Sequence, residues 1–337
     1  MSFNSILGQG QAKHIIAKAL QHGTLPHAYL FYGPESIGKR LLARQLAKAL
    51  NCTEQGPADA CDACQSCIKI EQNIHPDFFL LAPAKSTPTA REAVIKIDAV
   101  RNLQSKLGYF PYEGRTKVAI IDSVEKMNPQ ASNSFLKTLE EPPSSTLLIL
   151  ITASPNQLLP TLVSRCQGIR FHPLPPESIK EILLNQTATD RMEPSEVELR
   201  VLRSKGQVSR ALDENVAEIA QQRQELIDLL EHLSWDRIDL LFQWSKARAR
   251  DKDRVTEVLE ELMGLLRDIA FLKTQNNSEL LLNRDVAHLL RPLASKKSLA
   301  GLLKFMDGVQ QTLHALSGNA NVQLSLENML LQYCETT

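Results

Sequence analysis

At 337 residues the chain is too long for one ordinary core, so two or three domains are expected. A hydrophobic share of 43% with 23% charged residues fits a soluble globular protein. Lys plus Arg equals Asp plus Glu at 38 each, which excludes a chain that grips nucleic acid by net charge; any such contact needs a local basic face.

The start, Met1 to Lys13, lacks a basic group followed by an apolar stretch, so no secretory signal is expected. No run of about 18 apolar residues follows, so no membrane span is expected and the cytoplasm is the expected compartment. In a reducing cytosol the six cysteines are not expected to form a disulfide framework.

His27–Tyr32 reads as a buried strand, and Arg40–Asn51 as a helix with Leu42, Leu46, Ala49 and Leu50 on one face. Phe78–Ala82, Val118–Ile121 and Leu147–Ile151 are further short β-rich runs. Helices are expected between them at Asp98–Leu107, with Asp98 as N-cap, and at Gln130–Glu141, which Pro142-Pro143 ends. Strands alternating with helices imply a parallel sheet covered on both faces. After Phe171 the strands stop, and His172–Pro176, with three prolines, reads as a connector. Ser178 to about Leu212 reads as a small helical unit. From Glu214 the pattern is helical to the end, at Ile219–Leu233, Arg237–Ala249, Asp253–Leu272, Leu299–Leu316 and Val322–Tyr333. The expected class is thus α/β followed by all-α, without internal repeats.

Between the first strand and helix, Gly33-Pro34-Glu35-Ser36-Ile37-Gly38-Lys39-Arg40 matches G-x-x-x-x-G-K-[ST] at seven of eight positions. Glycines let backbone N–H groups wrap a phosphate, the helix start adds a favourable dipole, and Lys39 is placed for the β- and γ-phosphates. The eighth position calls for a hydroxyl that holds Mg²⁺, and here it is Arg40. The competing account is a chance glycine turn. Val118–Asp122 resembles the second half of such a site, with Asp122 at the end of a buried strand as a metal-holding carboxylate. Hydrolytic P-loop proteins of this type follow that Asp with Glu; here Ser123 follows, a poor base at neutral pH. Glu125, three residues on, is expected on a different trajectory.

Cys52-x8-Cys61-x2-Cys64-x2-Cys67 supplies four thiolates within sixteen residues. Tight C-x2-C turns suit a tetrahedral Zn²⁺, and four cysteines leave no open position, so the expected site is structural. An iron–sulfur cluster is the rival. Cys166 and Cys334 read as ordinary buried thiols, and His75 as a local hydrogen-bonding residue before Pro76.

A P-loop helix that runs directly into this cysteine cluster is similar to the tau/gamma and delta-prime subunits of the bacterial DNA polymerase III clamp loader. The block Asn133-Ser134-Phe135-Leu136-Lys137-Thr138-Leu139-Glu140-Glu141-Pro142-Pro143 resembles that family's most recognisable segment, and Ser164-Arg165-Cys166 its Ser-Arg-Cys motif. Leu7-Gly8-Gln9 resembles the segment flanking the adenine, and Asn319–Leu324 the family's oligomerising collar. The likeness spans roughly residues 3–172 and weakens over 173–212.

The resemblance implies an AAA+ domain over 1–172 with a zinc module at 52–67, a helical lid over 173–213, and a helical collar over 214–337 that joins five subunits in a ring. It implies tau/gamma and delta subunits, the sliding clamp and primed DNA as partners. Structural Zn²⁺ is the implied metal, and ATP or ADP at Gly33, Gly38, Lys39, Arg40 and Asp122 is left open. Arg165 would point across the subunit interface at a neighbour's γ-phosphate; the alternative is a surface arginine in a loop. Arg101 matches a position facing DNA phosphates, with Lys106 and Arg115 as companions; the alternative is a solvated helix charge. Arg40 and Ser123 depart from the tau/gamma pattern, and Ser209 falls where the lid arginine is expected, although Arg210 is adjacent. These departures favour the delta-prime type, a chain that is neither polymerase nor active ATPase. The alternatives are an active tau/gamma-type ATPase and a zinc-containing DNA-binding protein with a dead P-loop.

Overall fold

The computed structural model describes residues 3, 6–54, 59–85, 93–186, 194–212, 216–274, 281–318 and 320–335. It divides into two compact units, Met1–Leu212 and Asp213–Thr337. Among the described residues no helix is long and apolar enough to cross a membrane.

The first unit runs α1 (Gly10–His22), β1 (Ala28–Tyr32), α2 (Lys39–Asn51), α3 (Gln65–Glu71), β2 (Phe78–Leu81), β3 (Ala84–Lys85) and β4 (Ala93–Val94). It continues through α4 (Ile97–Leu107), β5 (Lys117–Ile121), α5 (Pro129–Glu140), β6 (Thr146–Thr152), α6 (Pro160–Val163) and β7 (Gln167–Arg170). Three helices complete it: α7 (Pro176–Gln186), α8 (Pro194–Arg203) and α9 (Val208–Leu212). Five strands form one parallel sheet in the order β2-β5-β6-β1-β7, and β3 and β4 form a small antiparallel pair.

Alternate residues of each central strand face opposite sides, and both sides are apolar, which is why the strands read as unbroken hydrophobic runs. Tyr29, Phe31, Val118, Ile120, Ile149 and Ile151 pack with Ile16 of α1 and Leu42 and Leu46 of α2. Leu30, Ala119, Ile121, Leu148 and Leu150 pack on the other side with Val100 and Leu103 of α4 and Phe135 and Leu139 of α5. This double burial confirms the expected α/β layer.

Three local expectations are corrected. Asp98 is not the N-cap of α4: Lys96 holds that position without a side-chain cap, and Asp98 sits in the first turn, where its charge still opposes the helix dipole. Helix α5 begins earlier, at Pro129, because the Asn128 side chain accepts the Ala131 N–H (2.8 Å) and Pro suits the first helical position. Strand β7 was not expected, since of its four residues only Ile169 turns into the core while its neighbours are exposed.

The second unit is helical: α10 (Val216–His232), α11 (Ile238–Arg248), α12 (Lys252–Thr274), α13 (Ala287–Lys296), α14 (Leu299–Ser317) and α15 (Val322–Glu335). Leu259, Leu262, Leu265 and Leu266 are fully buried in its single core, so that stripe is internal packing. Helix α13, which carries Pro292 within it, was not expected. Phe305 and Tyr333 pack ring to ring at 4.8 Å, and the Tyr333 hydroxyl donates to the Leu230 carbonyl (2.7 Å), tying α15 to α10.

Candidate nucleotide loop, cysteine centre and interface arginines

The chain leaves β1 at Tyr32 and enters α2 at Lys39, so the glycine loop lies between strand and helix as its motif requires. Gly33 has φ 144°, and a Cβ there would lie 2.4 Å from the Phe171 carbonyl oxygen, so only glycine fits. Gly38 has φ 97° and turns the loop into α2. Lys39 is buried, and its ammonium donates to the carbonyls of Gly33 and Pro34. Burial lowers its pKa, against the opposing pull of Glu35, Asp122 and Glu125.

Asp122 stands at the end of β5, its N–H bonded to the Leu81 carbonyl (2.8 Å). Its Oδ2 lies 3.4 Å from Nη1 of Arg40. A guanidinium therefore faces the one carboxylate expected to hold Mg²⁺, and the hydroxyl ligand is missing. A divalent cation takes oxygen ligands, and the Arg40 side chain offers none. The loop and Asp122 border a cavity of about 540 Å³. Glu125 lines the same cavity, contrary to its expected trajectory. Ser123 has φ 53°, and this left-handed residue turns the chain so that the following short helix carries Glu125 toward the loop. Oε2 of Glu125 is buried and without a hydrogen-bond partner.

Gln9 closes the other side of the loop. Its amide donates to the carbonyls of His172 (2.6 Å) and Ile37 (3.1 Å) and accepts the His172 N–H (3.1 Å). At the start of α9, the Val208 N–H bonds the Ser36 carbonyl (2.9 Å), so the small helical unit touches the phosphate loop directly. Ser209 is exposed and Arg210 half-buried.

The four cysteine sulfurs lie within 4.8 Å of one another. Zn–S bonds of about 2.3 Å put tetrahedral sulfurs about 3.8 Å apart, so the set fits one ion. Cys52 follows the end of α2, Cys61 and Cys64 form the turn before α3, and Cys67 lies within α3. The Cys64 N–H points at the Cys61 sulfur (3.2 Å), and the Cys67 N–H at the Cys64 sulfur (3.5 Å). Burial raises the Cys64 pKa, but hydrogen bonds from Thr53 and Cys67 outweigh it and bring the thiol down to about 6. Burial and the neighbouring sulfurs of Cys64 and Cys52 push Cys67 well up. A cation at the centre of so crowded a group would favour the thiolate form of all four. Residues 55–58 of the module lie outside the described residues.

The buried ammonium of Lys48 on α2 pairs with both Asp62 and Glu71 at 2.6 Å, which pins the cysteine turn to the sheet domain. A hydrogen bond from Lys48 leads the causes that lower the Glu71 pKa. This bracket was not expected, because a lone Asp beside a cysteine gives no sign of its partner. His75 has the expected local role: its Nδ1 accepts the Asp77 N–H (3.1 Å).

Arg165 follows α6, is about one-third exposed, and does not line the nucleotide cavity. Its guanidinium bonds Oε1 of Glu140 (2.6 Å) and the Thr161 carbonyl (2.8 Å). Arg101, Lys106 and Arg115 are all exposed, Arg101 and Lys106 on α4. Cys166 is half-buried, its thiol pushed up to about 12 by burial, and Cys334 is buried. Asn319, the first residue of the collar segment, lies outside the described residues.

The family model described as "DNA polymerase III, delta subunit" matches residues 8–175, and that described as "DNA polymerase III, delta subunit, C terminal" matches 217–335. The chain is 29% identical to DNA polymerase III subunit delta' of Bacillus subtilis, over 97% of this chain and 96% of that one. It is 31% identical to DNA polymerase III subunit delta' of Pseudomonas aeruginosa, over 91% of each. DNA polymerase III subunit tau of Escherichia coli is 30% identical over 81% of this chain but only 44% of its own length. The likeness to the delta' chains runs through both units and nearly end to end, and the chain belongs to the delta-prime subunit family of DNA polymerase III.

Proposed function

We propose that this clamp-loader subunit works in the cytoplasm as a non-hydrolysing member of a five-subunit ring with tau/gamma and delta chains, helping to place the sliding clamp on primed DNA. In this reading residues 1–172 form the AAA+ domain, 173–213 the lid and 214–337 the collar. The Arg40–Asp122 pair carries the proposal: the metal-binding hydroxyl is replaced by a cation that engages the remaining carboxylate. Ser123 supplies no base to polarise water. Structural Zn²⁺ at Cys52, Cys61, Cys64 and Cys67 keeps the module folded on α2.

Arg165 acts on a neighbour. Its planar fork is held at the end of α6 by the Thr161 carbonyl, and its pairing with Glu140 is exposed enough to be exchanged for a phosphate. A guanidinium at a γ-phosphate stabilises the charge of phosphoryl transfer, an effect that reaches about 10³-fold or more. Arg101, with Lys106 and Arg115, makes a weak, sequence-blind contact to DNA phosphates inside the ring.

The opposing reading is an active ATPase, which the position of Glu125 in the cavity would serve. Assembly of the chain with tau/gamma and delta subunits, weighed intact and assayed for ATP hydrolysis, tests the proposal. The expected result is a stable complex whose hydrolysis tolerates Lys39→Ala in this chain and falls with Arg165→Ala. Loss of activity through Lys39 alone would transfer the chemistry to this chain.

A further inference from the structure

The nucleotide loop retains the glycines and the lysine that cradle phosphate, while Arg40 replaces the hydroxyl that holds the metal. Gly33 and Gly38 keep their positive φ angles, Lys39 sits at the start of the 13-residue helix α2, and a cavity of about 540 Å³ opens beside them. Arg40 lines this cavity and reaches Asp122 at 3.4 Å.

We infer that Arg40 stands in for the divalent cation, so that this loop binds the diphosphate of a nucleotide without Mg²⁺. Asp122 then serves as the arginine's counter-ion and not as a metal ligand. The chemistry is balanced by charge. A bare diphosphate needs cations on the side that the helix N-terminus does not reach, and metal-dependent loops supply Mg²⁺ there. A guanidinium presents a planar set of donors to phosphate oxygens and carries a fixed charge at every physiological pH. More than half of the Arg40 side chain is exposed and its bond to Asp122 is long, so it can turn from the carboxylate to an entering phosphate at little cost. Lys39 needs a similar small exchange, from the carbonyls of Gly33 and Pro34 to phosphate oxygen.

The test is binding alone, on the full chain, so it stands apart from any result on hydrolysis or on Arg165. ADP affinity is measured by calorimetry at matched ionic strength, once with excess Mg²⁺ and once with excess EDTA. The wild-type chain should bind equally in the two conditions to within about twofold. Arg40→Ser should lose about tenfold or more in EDTA, the scale of one charge-assisted hydrogen bond, and regain part of it with Mg²⁺. Asp122→Asn should keep its binding in EDTA, since it removes only the counter-ion. Circular dichroism confirms that each variant is folded. A wild-type chain that binds ADP only with Mg²⁺, or not at all, overturns the inference, as does an Arg40→Ser chain unchanged in EDTA.

Discussion

Arg165 and Glu140 are joined within one chain, Nη2 to Oε1 at 2.6 Å, across 25 residues of sequence. The contact links the loop after α6 to the last residue of α5, so the Ser-Arg-Cys motif and the Thr-Leu-Glu-Glu-Pro-Pro segment are parts of one surface. Both side chains are partly exposed, at 34% and 49%, and such pairs contribute only about 0–1 kcal/mol to stability. The carboxylate orients the guanidinium without locking it.

Arg165→Ala should therefore unfold at nearly the wild-type denaturant concentration, within about 1 kcal/mol, and still assemble. In the assembled loader DNA-stimulated ATP hydrolysis should fall by about tenfold or more. Lys at this position should restore little, since a point charge cannot reproduce the planar fork. Rates equal to wild type, with assembly confirmed by mass, would withdraw the role in trans.

The isolated chain should not hydrolyse ATP above background, because Arg40 replaces the metal-binding hydroxyl and Ser123 cannot polarise water. Phosphate release under single-chain conditions checks this. A turnover on the order of 1 s⁻¹ that vanished in Lys39→Ala would mean that Glu125 had taken over the missing role.

Signals that are local in sequence were legible, and pairings over distance were not. The glycine loop and the cysteine spacing specify their own geometry within sixteen residues or fewer, and the central strands announce themselves by being apolar on both faces. Strand β7 stayed hidden because an edge strand with Ile169 as its one inward residue carries no periodicity. Helix α13 stayed hidden because Pro292 interrupts an otherwise helical pattern. Counting residues past Asp122 put Glu125 off the site, but the left-handed turn at Ser123 brings it back. Arg40 could be read as a lost ligand, yet its attachment to Asp122, 82 positions away, depends on β1 and β5 running parallel on either side of β6, so that both end at the same edge of the sheet.

The chain should carry about one zinc, released only on thiol modification or strong chelation. Elemental analysis of the purified protein checks this, and an iron–sulfur absorption band in its place would overturn the assignment. Cys64→Ser should loosen residues 51–77 while the helical unit keeps its own unfolding transition. Lys48→Met should weaken the same segment even in zinc, because Asp62 and Glu71 lose their shared buried cation.

Asp77 offers a test of the fold by pH. Its carboxylate is buried and accepts the N–H groups of Tyr112 (2.7 Å), Glu113 (2.8 Å) and Gly114 (2.7 Å), while Asn51 accepts those of Arg115 (2.8 Å) and Thr116 (3.1 Å). Together they hold the turn that presents Tyr109, Phe110 and Tyr112 to solvent. Burial alone would raise the Asp77 pKa, but the three N–H donors and His75 outweigh it and keep the carboxyl below its usual range. A folded pKa below the unfolded one gives stability that is complete above the unfolded value, about 3.9, and is lost as pH falls through the folded value. Asp77→Asn keeps the shape but sets an NH₂ group against backbone donors, at a cost of about 3 kcal/mol. Hydrogen exchange at the amides of residues 112–114 should show wild-type protection far above that of Asp77→Asn at pH 6 to 7. The two proteins should converge only as pH falls through the folded value, below the usual carboxyl range, where protonation removes the wild-type carboxylate. Convergence already at pH 6 would show that the turn is held by something other than this charge.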